Sequence, residues 1–299
     1  MKRLIVLSMV LVSGVIIAST QAAQPGYTAD KKDRCTKGNC ADGKGAYEWE
    51  NGDRYSGQWE SGRPHGKGTM KYNSGGMYEG EWEKGLRHGA GEFKGANGLK
   101  FKGRYENDGP AEGTIKYSDG STFTGTFRNT KPLKGRFKLN SGAVYEGEFL
   151  DGDFHGEGAL TDNKGTYRGQ WKKNKSDGQG TWEGKDGTRY EGQWKNGVRH
   201  GRGVLTGPNG NRYEGTFVNG YRQGKMKCTM PDGRTLEVGF VNDKPHGKGV
   251  MHFPDGRKSL PNYKHGNLDG NINIYDSSGK LIKVEMWENG KMLGTAQLR

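Results

Sequence analysis

Tyr78-Glu79-Gly80-Glu81-Trp82-Glu83-Lys84-Gly85-Leu86-Arg87-His88-Gly89-Ala90-Gly91 is the stretch that decides the fold, because near copies of it recur along most of the chain. An aromatic, an acid, a glycine, another short residue and a second aromatic lead into a polar turn, and His-Gly-X-Gly leads out. In an extended strand alternate side chains share a face, so Tyr78, Gly80 and Trp82 point one way and Glu79 and Glu81 the other. One face is aromatic and the other charged. Glycine inside a strand carries an entropic cost, and its place between two rings makes sense if a neighbouring ring fills the gap.

Working outward from this stretch, the leading aromatic recurs as Tyr55, Tyr78, Phe101, Phe123, Tyr145, Tyr167, Tyr190 and Tyr213, then more weakly as Leu236 and Ser259, at spacings of 22 or 23 residues. The second aromatic recurs without a gap as Trp59, Trp82, Tyr105, Phe127, Phe149, Trp171, Trp194, Phe217, Phe240 and Tyr263. A fixed period of this length marks a repeat array. Asp-Gly and Asn-Gly pairs, as at Asn97-Gly98, Asp186-Gly187 and Asp232-Gly233, supply a second turn in each copy. Each repeat is therefore two short strands and two turns, and no stretch has a helical period. The third and fourth repeats depart from the pattern, with Ala111 and Leu133 where the first glycine of Gly-X-Gly belongs and one residue fewer in the turn. A bend in the array is expected there. A half repeat from Asp42 to Gly52 reads as an N-terminal cap, and Gly270 to Gly294 continues the spacing in degenerate form.

Composition agrees with a thin, repetitive sheet. Of 299 residues 54 are glycine and only 30% are hydrophobic, which leaves too little aliphatic material for the thick core of an enzyme domain. Glycine at this level also suits disordered chains, but regularly spaced aromatics do not. The expected fold is all-β, an elongated single-layer antiparallel sheet of consecutive hairpins over residues 42–290, followed by a tail at 291–299.

Lys2 and Arg3 precede an apolar run from Leu4 to Ala18 and then a small, polar segment, the pattern of a secretory signal peptide over residues 1–22. Cleavage after Ala22 or Ala23 is expected. The competing reading, an uncleaved anchor, meets an apolar run of about 15 residues that is short for a bilayer. Residues 23–41 form a separate segment in which Cys35 and Cys40 are candidates for a small disulfide loop, a bond that export permits. Cys228 is left over within an inferred strand. Removing Lys2 and Arg3 from the formal +13 leaves about +11. Such a charge favours anionic partners, while interspersed bases and acids also keep a flat sheet soluble. Arg87, Lys172, Lys173, Lys195 and Arg199 are the candidate contacts to an anionic envelope surface. Export argues against nucleic acid as the partner.

These residues resemble the MORN (membrane occupation and recognition nexus) repeat family, whose motif is close to Tyr-Glu-Gly-X-Trp, a turn, then His-Gly-X-Gly. Tyr78 to Gly91, Tyr145 to Gly158 and Tyr190 to Gly203 match it almost position for position, and the likeness covers roughly residues 42–290. The resemblance implies consecutive β-hairpins, scaffolding, and association with proteins or membranes, in some cases by dimerisation. It implies no catalysis by the repeats. The run from Gly270 to Gly294 looks like a shorter bacterial variant of the repeat.

The histidines, glycine-rich loop and acids of the chain fit structural roles better than chemical ones. His65, His88, His155, His200 and His246 share one place in their repeats, but equivalent positions in adjacent hairpins should lie about 9.6 Å apart, twice the strand spacing. Two imidazoles on one zinc must each come to about 2 Å. Gly38 to Gly45 nearly spells a phosphate-binding loop, yet Gly45 stands where a hydroxyl must hold magnesium. Glu79 and Glu81 recur as repeat grammar. The expectation is an exported, periplasmic or extracellular protein with no catalytic residues, metal or cofactor, binding an envelope or extracellular protein or a second copy of itself. Anionic lipid or lipopolysaccharide and, last, cell-wall glycan on the aromatic ladder are the alternatives. The ladder residues are Tyr55, Trp59, Tyr78, Trp82, Tyr145, Phe149, Tyr167, Trp171, Tyr190, Trp194, Tyr213 and Phe217.

Overall fold

The computed structural model describes residues 34–298. Residues 1–33, on which the expected signal peptide falls, lie outside the described residues. The described chain is all-β, with 26 strands joined by tight turns, and it divides into two halves at Gly156 and Glu157.

In the first half the strands pair antiparallel with their neighbours in sequence, and one repeat shows the grammar. Met77–Glu83 and Leu86–Lys94 form a hairpin. Tyr78 faces Met70 on one neighbouring strand and Phe93 on the other, Gly80 faces Gly68 and Gly91, and Trp82 faces Gly66 and Arg87. Rings, glycines and second aromatics therefore run in parallel rows across the strands. The alternation seen in the sequence holds, since Tyr78 and Trp82 are buried and Glu79, Glu81 and Glu83 are exposed.

Two devices fix the register. The hairpin turn at Lys84-Gly85 places both residues in the left-handed region, at φ 52° and 88°, which is the type I′ geometry whose twist matches the flanking strands. After the turn, pairing slips between Gly80 and Glu81. Gly89 takes up the slip at φ 59°, as the glycine of a β-bulge does. The bulge keeps the ring row and the second-aromatic row on one face of both strands.

The irregular third and fourth repeats keep this pairing. Gly103 faces Gly113 and Gly125 faces Gly135. The bulge there is one residue shorter, so Ala111 and Leu133 need no left-handed backbone. The ladder of strands runs through both repeats.

In the second half, hairpins from Gly165–Lys172 to Lys244–His252 repeat the scheme. At the tenth repeat Pro261, which lacks a backbone donor, splits the strand. Lys258–Leu260 continues the sheet against Asn273–Tyr275, while Asn262–Lys264 pairs with Asn267–Leu268 as a separate small hairpin. The sheet then runs on through Gly270–Tyr275, Leu281–Glu288 and Lys291–Gln297.

Candidate functional site

The aromatic rows are the internal framework of the sheet. Tyr78 lies back over the glycine pair of its own hairpin, where a Cβ added to Gly91 would fall 2.7 Å from the Tyr78 Cζ. Its hydroxyl donates to the Glu81 carbonyl at 2.9 Å, and the same bond recurs from Tyr55 to Gln58, Tyr145 to Glu148, Tyr167 to Gln170 and Tyr190 to Gln193. In these repeats the glycine gap is thus filled by a ring next to it, the leading ring of the same repeat. A strand side chain can lean along its own strand, and the tyrosine does so far enough to reach its own backbone.

The second aromatics link one repeat to the next. Trp82 Nε1 donates to the Gly68 carbonyl at 3.2 Å and Trp59, Trp171 and Trp194 make the equivalent bonds. Tyr78 meets Trp82 edge-to-face at 5.1 Å and Tyr105 of the next repeat at 5.0 Å. The pattern recurs at Phe123, Phe127 and Phe149, and at Tyr167, Trp171 and Trp194. Contacts of this geometry contribute about 0.5–1.5 kcal/mol beyond area burial. Among the named ladder residues Tyr55, Trp59, Tyr145, Phe149, Tyr167, Trp171, Tyr190, Trp194 and Phe217 are also buried, and only Tyr213 is half-exposed. Rings that cover one another present no free faces to a sugar, which removes the ladder as a glycan platform.

Two of the five basic candidates turn inward. Arg87 is only 1% exposed, with Nε donating to Asp108 Oδ1 at 2.8 Å and Nη2 to the Asp108 carbonyl at 2.7 Å. Arg199 Nη2 donates to the Gly220 carbonyl at 3.0 Å, and its guanidinium packs against the Tyr190 and Phe217 rings. Both therefore staple one hairpin to the turn of the next; Arg87 is closed off from the surface, and Arg199 is half-buried. The second position after the hairpin turn faces the ring side, and Pro64, Pro110, Pro132 and Phe154 occupy it in other repeats. That alignment was the available signal. Lys172, Lys173 and Lys195 are exposed at successive hairpin tips.

The resolved shifts follow from burial and from turn hydrogen bonds. Burial raises the phenols, taking Tyr190 to about 12, and pushes the Cys228 thiol up to about 11. Backbone N–H of Thr188 holds Asp186 below the usual carboxylate range within its turn. His65 Nδ1 lies 3.0 Å from Glu60 and His88 Nδ1 3.5 Å from Glu83 across their hairpin turns. Among the described residues no group of three His, Cys, Asp or Glu could hold a metal ion. Cys35 and Cys40 are joined by a disulfide, with Cα atoms 6.0 Å apart. It ties down Arg34–Gly38, a fully exposed strand.

What distinguishes the repeats is the residue after the second aromatic, on the face opposite the rings. Glu60, Glu83, Lys172 and Lys195 hold it elsewhere, but Leu150, Val218 and Val241 hold it at 54%, 39% and 47% exposure. Met292 and Leu293 of the last described strand are 44% and 61% exposed. Sequence reasoning passed over these positions because a lone exposed aliphatic is unremarkable until its repeat neighbours are seen to be charged.

A family model described as MORN repeat matches residues 41–54, 55–77, 78–100, 145–166, 167–189, 190–212, 213–233 and 239–256. It passes over 101–144, where the strands nonetheless continue. No curated protein matches the chain. Among solved structures, the TCP10 domain of Danio rerio CPAP in complex with a peptide of Danio rerio STIL is 13% identical, with 85% of this chain and 98% of that chain covered and a TM-score of 0.30. The TCP domain of SAS-4 (dCPAP) with a proline-rich motif of Ana2 from Drosophila melanogaster is 15% identical, with 64% and 93% covered and a TM-score of 0.31.

Proposed function

The chain belongs to the MORN repeat family, and from that premise we propose that it is a non-catalytic scaffold, exported to the cell envelope, that binds a protein partner or a second copy of itself. The observation that carries this reading is the pair of exposed aliphatics Val218 and Val241, on consecutive hairpins at a position that is charged in other repeats. Exposed apolar groups concentrated on one surface are costly to leave in water and mark association sites. The signal-like first residues and the Cys35–Cys40 disulfide support an oxidising compartment outside the cytoplasm. Light scattering and affinity purification from envelope extract test it, comparing the wild type with the Val218→Asp, Val241→Asp double variant. Association that the double variant loses supports the reading. A wild-type chain that stays a monomer and retains no partner refutes it.

A second reading is direct attachment to anionic lipid or lipopolysaccharide. Lys172, Lys173 and Lys195 favour it, since they sit exposed at neighbouring tips of the half with the larger excess of bases, 24 Lys and Arg against 15 Asp and Glu over residues 157–299. Vesicle sedimentation over a salt series tests it. Electrostatic binding weakens as salt rises, and binding that is absent or indifferent to salt sinks this reading.

A further inference from the structure

Lys71, Lys94, Lys100, Lys116 and Lys138 stand in one file across the first half of the array, on the face away from the rings. Pairing links Lys71 to Met77, Met77 to Lys94, Lys94 to Lys100, Lys100 to Lys116, Lys116 to Thr122 and Thr122 to Lys138. All five lysines are exposed. The file crosses seven consecutive strands, about 29 Å at the usual strand spacing. Like charges set directly opposite one another across strands are destabilising, and Lys100 faces Lys94 on one side and Lys116 on the other.

In other repeats the same file is neutralised. Arg54 lies 3.1 Å from Glu48 on the adjoining strand, Arg189 2.8 Å from Glu191 and Arg212 2.7 Å from Glu214. Glu191 and Glu214 stand two places after the file, and Lys102 and Thr124 take that place in the third and fourth repeats. Lys94 keeps a carboxylate, Glu92 at 3.3 Å. Among the described residues Lys71, Lys100, Lys102, Lys116 and Lys138 make no ion pair. Beside the file Thr114 and Thr124 face each other, their Oγ1 atoms 2.9 Å apart.

We propose that this file binds a linear acidic polysaccharide laid across the strands, its carboxylates on the lysines and its hydroxyls on the threonines beside them. The site goes beyond the scaffold reading and uses other residues. Unpaired like charges held in register select a polyanion. A single line of charge suits a chain better than a membrane, because Glu79, Glu92 and Glu146 in the next row would oppose a broad anionic surface. Proteins that hold single-stranded nucleic acid join a basic track to rings on which bases stack, whereas the rings of these strands all lie on the opposite face. A polymer with one carboxylate on each sugar repeats its charge regularly, as the file does. Its hydroxyls find partners in Thr114 and Thr124, and each lysine ammonium brings three donors that can serve carboxylate and hydroxyl together.

The test titrates the full chain with a fluorescently labelled oligogalacturonate, followed by polarisation over a salt series. Binding that weakens as salt rises, and that the fully methyl-esterified oligomer lacks, is the expected result, since the ester keeps the sugars and removes the charge. The Lys100→Gln, Lys102→Gln, Lys116→Gln variant should bind more weakly by about tenfold or more. Relieved of opposed like charges, it should unfold no earlier than wild type, which separates lost binding from lost fold. Lys172→Gln, Lys173→Gln, Lys195→Gln removes the same charge from hairpin tips of the other half and should bind as wild type does. Poly-glutamate, phosphatidylglycerol vesicles and single-stranded DNA should each bind more weakly than the oligogalacturonate. No binding by the wild type, equal binding of the methyl ester, equal or tighter binding of any competing polyanion, or equal losses in the two triple variants overturns the proposal. Such a failure leaves association through Val218 and Val241 standing on its own test.

Discussion

Gly91→Ala isolates the interaction between leading ring and glycine pair that recurs along the array. Gly91 has no left-handed backbone requirement, so alanine there introduces no φ strain. Its Cβ would fall 2.7 Å from the Tyr78 Cζ and closer still to the hydroxyl oxygen, inside any real carbon contact. The Tyr78 ring must leave. That breaks the hydrogen bond to the Glu81 carbonyl, a contribution of about 1 kcal/mol. It also loses the edge-to-face contacts with Trp82 and Tyr105, about 0.5–1.5 kcal/mol each, and returns part of a fully buried ring to water. The expected cost is about 3–5 kcal/mol, in line with large disruptions of buried aromatics. Gly62→Ala is the control, because Gly62 sits at φ 69° with open space around it. It incurs left-handed strain of about 1–2 kcal/mol and no clash. Repeat arrays unfold by neighbouring units, so the readout is amide hydrogen exchange resolved to residues 66–106 together with tyrosine accessibility. Loss of protection centred on the second repeat and larger than that from Gly62→Ala is the expected result. Equal or smaller loss would refute the assignment of the glycine pair as the place of the ring.

Four further outcomes follow from the same geometry. Asp108→Ala leaves the buried Arg87 guanidinium without its counter-ion and should cost about 3–5 kcal/mol, whereas Arg87→Met should be close to neutral; denaturant melts of both variants decide. Tyr78→Phe should cost only about 1 kcal/mol by the same measurement, since Phe101 and Phe123 already serve as leading rings in the third and fourth repeats. The buried tyrosines have folded pKa values raised above their unfolded ones, about 12 for Tyr190, so their contribution is complete below about pH 10 and is lost as the pH climbs through the folded value. Stability measured against pH should therefore fall on the alkaline side in step with phenolate absorbance. Cys35→Ser should remove about 2 kcal/mol of loop constraint and speed exchange in Arg34–Gly38 and its partner strand Gly43–Glu48 without touching the repeats beyond Tyr55.

The period, the two faces and the turns were legible in the sequence because each rests on local chemistry. Alternation follows from strand geometry, and Asn-Gly and Asp-Gly turns follow from φ. The direction in which a side chain leans was not legible. That Tyr78 folds back along its own strand over the glycines of its own hairpin is a matter of side-chain direction, which residue spacing does not carry. Arg87 and Arg199 read as surface bases by composition, while their alignment with Pro64, Pro110 and Phe154 assigned them to the ring face. Met226, whose sulfur takes the space over Gly215 that a leading ring fills elsewhere, was missed for the opposite reason. It lies in a repeat whose aromatics are regular, and the absent second glycine matters only once the ring is known to need that space. Pro261 likewise looked like a weak tenth repeat, and its missing donor divides the strand in two.

Photo-crosslinking in cells, with a crosslinking residue placed in turn at Val218, Val241, Glu79 and Lys67, tests most directly whether association resides where the repeats differ. All four are solvent-facing positions of the array, and only the first two replace charge by an aliphatic group. Discrete adducts to one protein, or to a second copy of the chain, at Val218 and Val241 and none at Glu79 and Lys67 is the predicted result. Adducts spread evenly over the four positions, or absent from all, would contradict it.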